Sequence, residues 1–114
     1  MKVFVAASPH WLDADTIREN LTDLPVSSTI VVSSRAGGDT AVAHIASKEL
    51  AFHVEIVDLK ENFKKNAMEL LRLEEWDCAY FFVVTRKEPE HALARVSRAG
   101  QVETHIVISN METV

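Results

Sequence analysis

The residues with the clearest chemical potential are consecutive: Ser33, Ser34, Arg35, Ala36, Gly37, Gly38 and Asp39. Two hydroxyls, a guanidinium, the chain's only adjacent glycines and a carboxylate follow the β-branched run Thr29-Ile30-Val31-Val32. An amphipathic segment comes next. A strand, a small-residue turn and a helix start, in that order, can bind an anion. Glycine admits close backbone approach, and the first N–H groups of a helix lack internal acceptors. Arg35 can add a bidentate grip on phosphate or carboxylate. The plainer alternative is an ordinary strand-to-helix turn with Asp39 as the helix N-cap.

These residues need a frame, and the apolar pattern supplies one. Residues 3–7 form a continuous apolar run, as in a strand covered on both faces, and stop at Ser8-Pro9-His10. Asp13 or Asp15 can cap a helix bearing Ile17, Leu21 and Leu24, which Pro25 ends. Residues 30–32 read as a second strand, and Asp39 as the cap of a helix through Val42, Ile45, Ala46 and Leu50. The alternation in His53-Val54-Glu55-Ile56-Val57 predicts an edge strand with one wet face. Phe63, Ala67, Leu70 and Leu71 mark a third helix, and residues 78–84 are the most apolar strand candidate. Pro89 opens a fourth helix with Leu93 and Val96 inward and Gly100 after its end, and residues 104–108 supply a last strand.

Strict alternation predicts an α/β, Rossmann-like three-layer sandwich with a five-stranded, mainly parallel sheet in the order 3-2-1-4-5. The expected domain is 1–109, with 110–114 a C-terminal tail. In such sheets ligands lie beyond the carboxyl ends of the strands, where the strand order reverses. Ser8 and Trp11 after the first strand, residues 33–39 after the second and Arg86 after the fourth would line that crevice.

Bulk properties narrow the function classes. A chain of 114 residues can bury a real core but cannot hold a separate substrate domain. A formal charge of -5 argues against a nucleic-acid backbone as main partner. Cys78 is the only cysteine, so no intrachain disulfide can form, which suits a reducing compartment. The apolar run at the N-terminus is too short for a secretion signal, and no stretch approaches the roughly 20 apolar residues of a membrane span. A cytoplasmic protein with no membrane partner is expected.

The run Val5-Ala6-Ala7-Ser8-Pro9-His10-Trp11 resembles the first-strand motif of the SLOG superfamily, usually V-T-G-S-R-x-W. These Rossmann-like proteins include DprA and the LOG phosphoribohydrolases. The likeness is greatest to their small single-domain branch, common in bacteria and phages, where the second strand runs into G-G-A-R-G-A-D. Residues 33–39 align with that motif, and Lys65-Asn66 is similar to a later R-N pair. The resemblance implies a pocket for a nucleotide-related ligand built from Ser8, Trp11, Ser33, Ser34, Arg35, Gly37, Gly38, Asp39, Asn66 and Arg86. It implies roles as well: Ser8 donating to a phosphate or ribose hydroxyl, Asp39 accepting from a ribose, the glycine amides facing the ligand, and Arg35 and Arg86 supplying charge.

The departures are equally specific. Ser33 and Ser34 replace both leading glycines, the arginine stands one position early at Arg35, and Pro9 replaces the first-strand arginine. The family's glycine-rich loop after the fourth strand becomes Val84-Thr85-Arg86-Lys87-Glu88-Pro89-Glu90, with no glycine. Losing that amide wrap removes much of a phosphoribosyl cradle. Glu88 and Glu90 are the nearest stand-ins for the LOG glutamate, and neither aligns well. Hydrolysis of the LOG type is therefore not expected, and no catalytic residue is assigned.

Other constellations give less. His10, His44, His53, His91 and His105 lack zinc-ligand spacing, so no metal is expected, and no other cofactor is implied. No G-x-S-x-G elbow positions a serine nucleophile, and Cys78 lies in an apolar strand where a thiol is inert. The leading expectation is a ligand-binding sensor or accessory protein, in a homodimer or higher homo-oligomer. The alternatives are an assembly module that has lost its ligand, and a residual nucleoside-phosphate hydrolase using Glu88 or Glu90.

Overall fold

The computed structural model describes residues 1–59, 61–85 and 87–109. Arg86, expected in the crevice, and the expected tail 110–114 lie outside the described residues. Five strands, β1 (Lys2–Ala7), β2 (Thr29–Ser33), β3 (His53–Val57), β4 (Cys78–Val83) and β5 (Glu103–Ile108), form one sheet in the order 3-2-1-4-5. Every pairing is parallel. The fold is Rossmann-like α/β.

Burial explains the strand order. The central β1 and its neighbour β4 are apolar at almost every position and are covered on both faces. β3 is indeed an edge, but Ile56 is exposed along with His53 and Glu55, so water reaches both of its faces and not the expected one alone. Helices α1 (Ala14–Leu21) and α2 (Gly38–His44) cover one face, where Val5, Trp11, Ile17, Val32, Val42 and Phe82 meet. Helices α3 (Phe63–Leu73) and α4 (Pro89–Ala99) cover the other, against Phe4, Val31, Trp76 and Phe81. Phe4, Phe81 and Phe82 are wholly buried, each stabilising by about 2–3 kcal/mol from apolar area alone.

The helix ends correct two expectations. α1 is capped by Asp13, which accepts from the Thr16 amide at 3.1 Å, and stops at Leu21 rather than running to Pro25. Leu24 packs on the core from the following turn. The N-cap of α2 is Gly37, and Asp39 is already inside the helix, so its carboxylate is free to act across the sheet instead of capping. A wider π-helical turn, Ile45–Glu49, prolongs α2. No helix of the described residues is long and apolar enough to cross a membrane.

Candidate functional site

The carboxyl ends of β1 and β2 meet the first turns of α2, α3 and α4 around one guanidinium. Asp39 Oδ1 accepts the Ala7 amide at 2.7 Å, tying α2 to the end of β1, and Oδ2 accepts Arg35 Nε at 3.1 Å. Arg35 Nη2 donates to the Ala7 carbonyl at 2.8 Å and to Glu90 Oε1 at 2.6 Å. The guanidinium carbon lies 3.6 Å above the centre of the Phe63 ring, a cation–π contact in a nearly closed setting. Asp39 and Glu90 have no solvent exposure, and the second Glu90 oxygen, Oε2, is buried without a hydrogen-bond partner.

One cation therefore serves two buried carboxylates. Burial pushes the Asp39 carboxyl up to about 6; Arg35 and the Ala7 amide pull it back, and the charge of Glu90 adds to the rise. Arg35 and the Ala7 amide together favour the charged form of this buried carboxyl.

A second contact closes the point where the strand order reverses. The buried Ser8 hydroxyl, after β1, donates to Glu88 Oε2, after β4, and accepts the His10 amide at 3.1 Å. Glu88 Oε1 accepts the amides of Val84 and Thr85 at 2.7 and 3.0 Å. Burial raises the Glu88 carboxyl, but the donors from Ser8, Thr85 and Val84 outweigh it, so its pKa lies below the ordinary range. A carboxylate so stabilised is a weaker base than a free one. The arrangement is built to hold acceptors and donors in place.

The expected residues divide among these contacts. Ser8, Arg35 and Asp39 come together at the strand ends. Gly37 has φ +95°, and a side chain there would lie 2.6 Å from the Pro9 carbonyl oxygen. A Cβ on Gly38 would lie 2.7 Å from that of Ala7, and closer still to the Ser8 carbonyl. These glycines let α2 approach the loop after β1, so the chain's own backbone covers the faces expected to meet a ligand. Trp11 packs edge-on to Phe82 at 5.3 Å and donates to the Asp13 carbonyl at 2.7 Å. Ser33 Oγ accepts the Arg35 amide at 2.9 Å, and the Ser34 amide donates to the Val57 carbonyl at 2.9 Å. Asn66 braces the start of α3 by donating to the Glu61 carbonyl at 2.7 Å, outside the Arg35 cluster.

Open space lies beside the cluster. Gly37, Ala36 and Thr40 share a groove of about 770 Å³ with Ala14, Arg18 and His44, between α1 and α2. A larger hollow of about 890 Å³ sits around Trp76, Asp77 and Gly100, where the chain enters β4 and leaves α4, remote from this chemistry. Among the described residues, no group of three or more His, Cys, Asp or Glu is placed to hold a metal ion.

Phe63 and Glu90 complete the cluster and were absent from the expected pocket. Their signal was weak: an aromatic opening α3, and an acid on each side of the proline that opens α4. The sequence matches no known family profile, and no curated protein aligns with it significantly.

Proposed function

We propose that this chain is a divergent SLOG-type domain that binds a nucleotide-related, phosphorylated small molecule as a cytoplasmic sensor or accessory protein, without catalysing its conversion. The observation that carries the reading is the buried, unpartnered Oε2 of Glu90 beside Arg35 and Asp39. A fully buried carboxylate oxygen with no donor is costly, and a donor supplied by a ligand removes that cost. Sugar hydroxyls are donors of the required kind, and acidic residues meet ribose hydroxyls at this end of dinucleotide-binding sheets. The low-pKa Glu88 favours recognition over acid–base chemistry.

A thermal-shift screen of nucleotides, ADP-ribose-like compounds and sugar phosphates tests this, alongside native mass spectrometry of gently purified protein. Glu90→Gln keeps the acceptor toward Arg35 and turns the free oxygen into an N–H donor. The proposal expects a retained ligand or a saturable stabilisation in the native chain that Glu90→Gln loses while remaining folded. No retained mass and no stabilisation across the panel overturns it.

One observation favours a second reading. The glycine faces are filled by Ser8 and Pro9, as in a domain kept as an assembly unit. That reading expects a defined homo-oligomer in the same spectra and no response to nucleotides.

A further inference from the structure

The first turns of α3 and α4 divide their side chains between two places. Phe63 and Glu90 reach Arg35, whereas their neighbours Lys64 and His91 line a separate cavity of about 190 Å³. Lys87 and Arg95 line it too. Among the described residues, Lys64, Lys87 and Arg95 form no ion pair. His91 Nδ1 is buried without a hydrogen-bond partner. Among the described residues Glu88 is the one acid in the lining, and both its oxygens are engaged by Ser8, Val84 and Thr85.

Three unpaired cations around one small cavity stand out in a chain of net charge -5. Held together they repel one another, and an anion between them removes that repulsion. α4 is eleven residues long, its N-cap residue Glu88 turns its side chain back to Ser8, Val84 and Thr85 instead of capping the helix, and its positive end faces the same region. The idle Nδ1 of His91 supplies a further donor whenever the ring carries its proton there. We propose that this cavity binds a phosphate or diphosphate group, with Lys64 and Lys87 as point charges, Arg95 as the forked donor and His91 as the inner donor. That the bound phosphate belongs to the same molecule as the sugar at Glu90 rests on the function proposed above; the anion site itself does not.

Sodium pyrophosphate and inorganic phosphate, titrated into the intact chain at constant ionic strength, test the site by amide and imidazole NMR. Saturable shifts are expected at Lys64, His91 and Arg95, with affinity falling roughly tenfold in Lys64→Ala/Lys87→Ala through loss of two charge-assisted contacts. Both lysines are exposed, so this variant keeps its fold. Shifts that do not saturate, that chloride reproduces, or that saturate at the same concentration in the double variant overturn the site. A single-stranded oligonucleotide that binds these residues more tightly than pyrophosphate also overturns it, in favour of a nucleic-acid surface.

Ribose 5-phosphate separates the two proposals. If pyrophosphate binds here and ribose 5-phosphate binds no more tightly than phosphate, the sugar reading at Glu90 fails and the anion site stands. If ribose 5-phosphate binds undiminished in Lys64→Ala/Lys87→Ala, the anion site fails and the Glu90 reading stands.

Discussion

Asp39 makes the balance inside the Arg35 cluster measurable. Its carboxyl titrates near 6 in the folded chain against 3.8 when unperturbed, so the folded state binds that proton more tightly than the unfolded state. The sign follows directly. This group favours folding least when ionised, and its contribution falls as pH rises through the interval between the two values. A separation of about 2.2 units corresponds to about 3 kcal/mol, and the side chain is fully buried, so little is lost to solvent screening. About 2 kcal/mol of that falls between pH 4.5 and 7.5. Asp39→Asn removes the titration while an amide oxygen can still accept from Ala7. Urea unfolding, followed through the buried Trp11 and Trp76, gives the stability difference between native chain and variant across that range. The native chain should lose about 2 kcal/mol relative to the variant as pH rises. A difference that is flat, or that grows in favour of the native chain, would mean that pairing with Arg35 outweighs burial and would refute the reasoning.

The same cluster and loop support three further expectations. Arg35→Met leaves two buried carboxylates without their cation, and chemical denaturation should show a loss of about 3–5 kcal/mol, larger at pH 7 than at pH 4.5. Gly37→Ala combines a positive φ with a clash against the Pro9 backbone, so its denaturation midpoint should report at least about 2 kcal/mol of destabilisation; a loss under about 0.5 kcal/mol would mean that the loop after β1 yields easily. Glu88→Ala removes the acceptor of Ser8, Val84 and Thr85, at a cost of about 1–3 kcal/mol, and hydrogen exchange at the Val84 and Thr85 amides should accelerate while the β1 amides stay protected.

The strand order was legible because β1 and β4 are apolar without alternation while β3 alternates, which separates central from edge strands before any contact is known. Ser8, Arg35 and Asp39 could be placed at the crevice because strand ends in this topology converge there. What each of them touches was not legible. Asp39 is equally good as a cap or as a tether to Ala7, and only the position of the turn at Gly37 decides, by starting α2 two residues earlier than an Asp39 cap would. An adjacent glycine pair serves a ligand's approach or the chain's own, and the packing of Pro9 over Gly37 selects the second. Glu90 and Phe63 lie 55 and 28 residues from Arg35, and no local pattern reports contacts at such separations.

The amide NMR spectrum of the native chain during addition of ribose 5-phosphate and adenosine monophosphate tests the central claim most directly. Binding at the crevice predicts saturable shifts concentrated at Ala7, Ser8, Asp39 and Glu90, reaching Lys64 and His91 as the phosphate engages, and lost at the crevice in Glu90→Gln. A spectrum that does not change, or whose changes fall elsewhere and persist in that variant, would contradict the account.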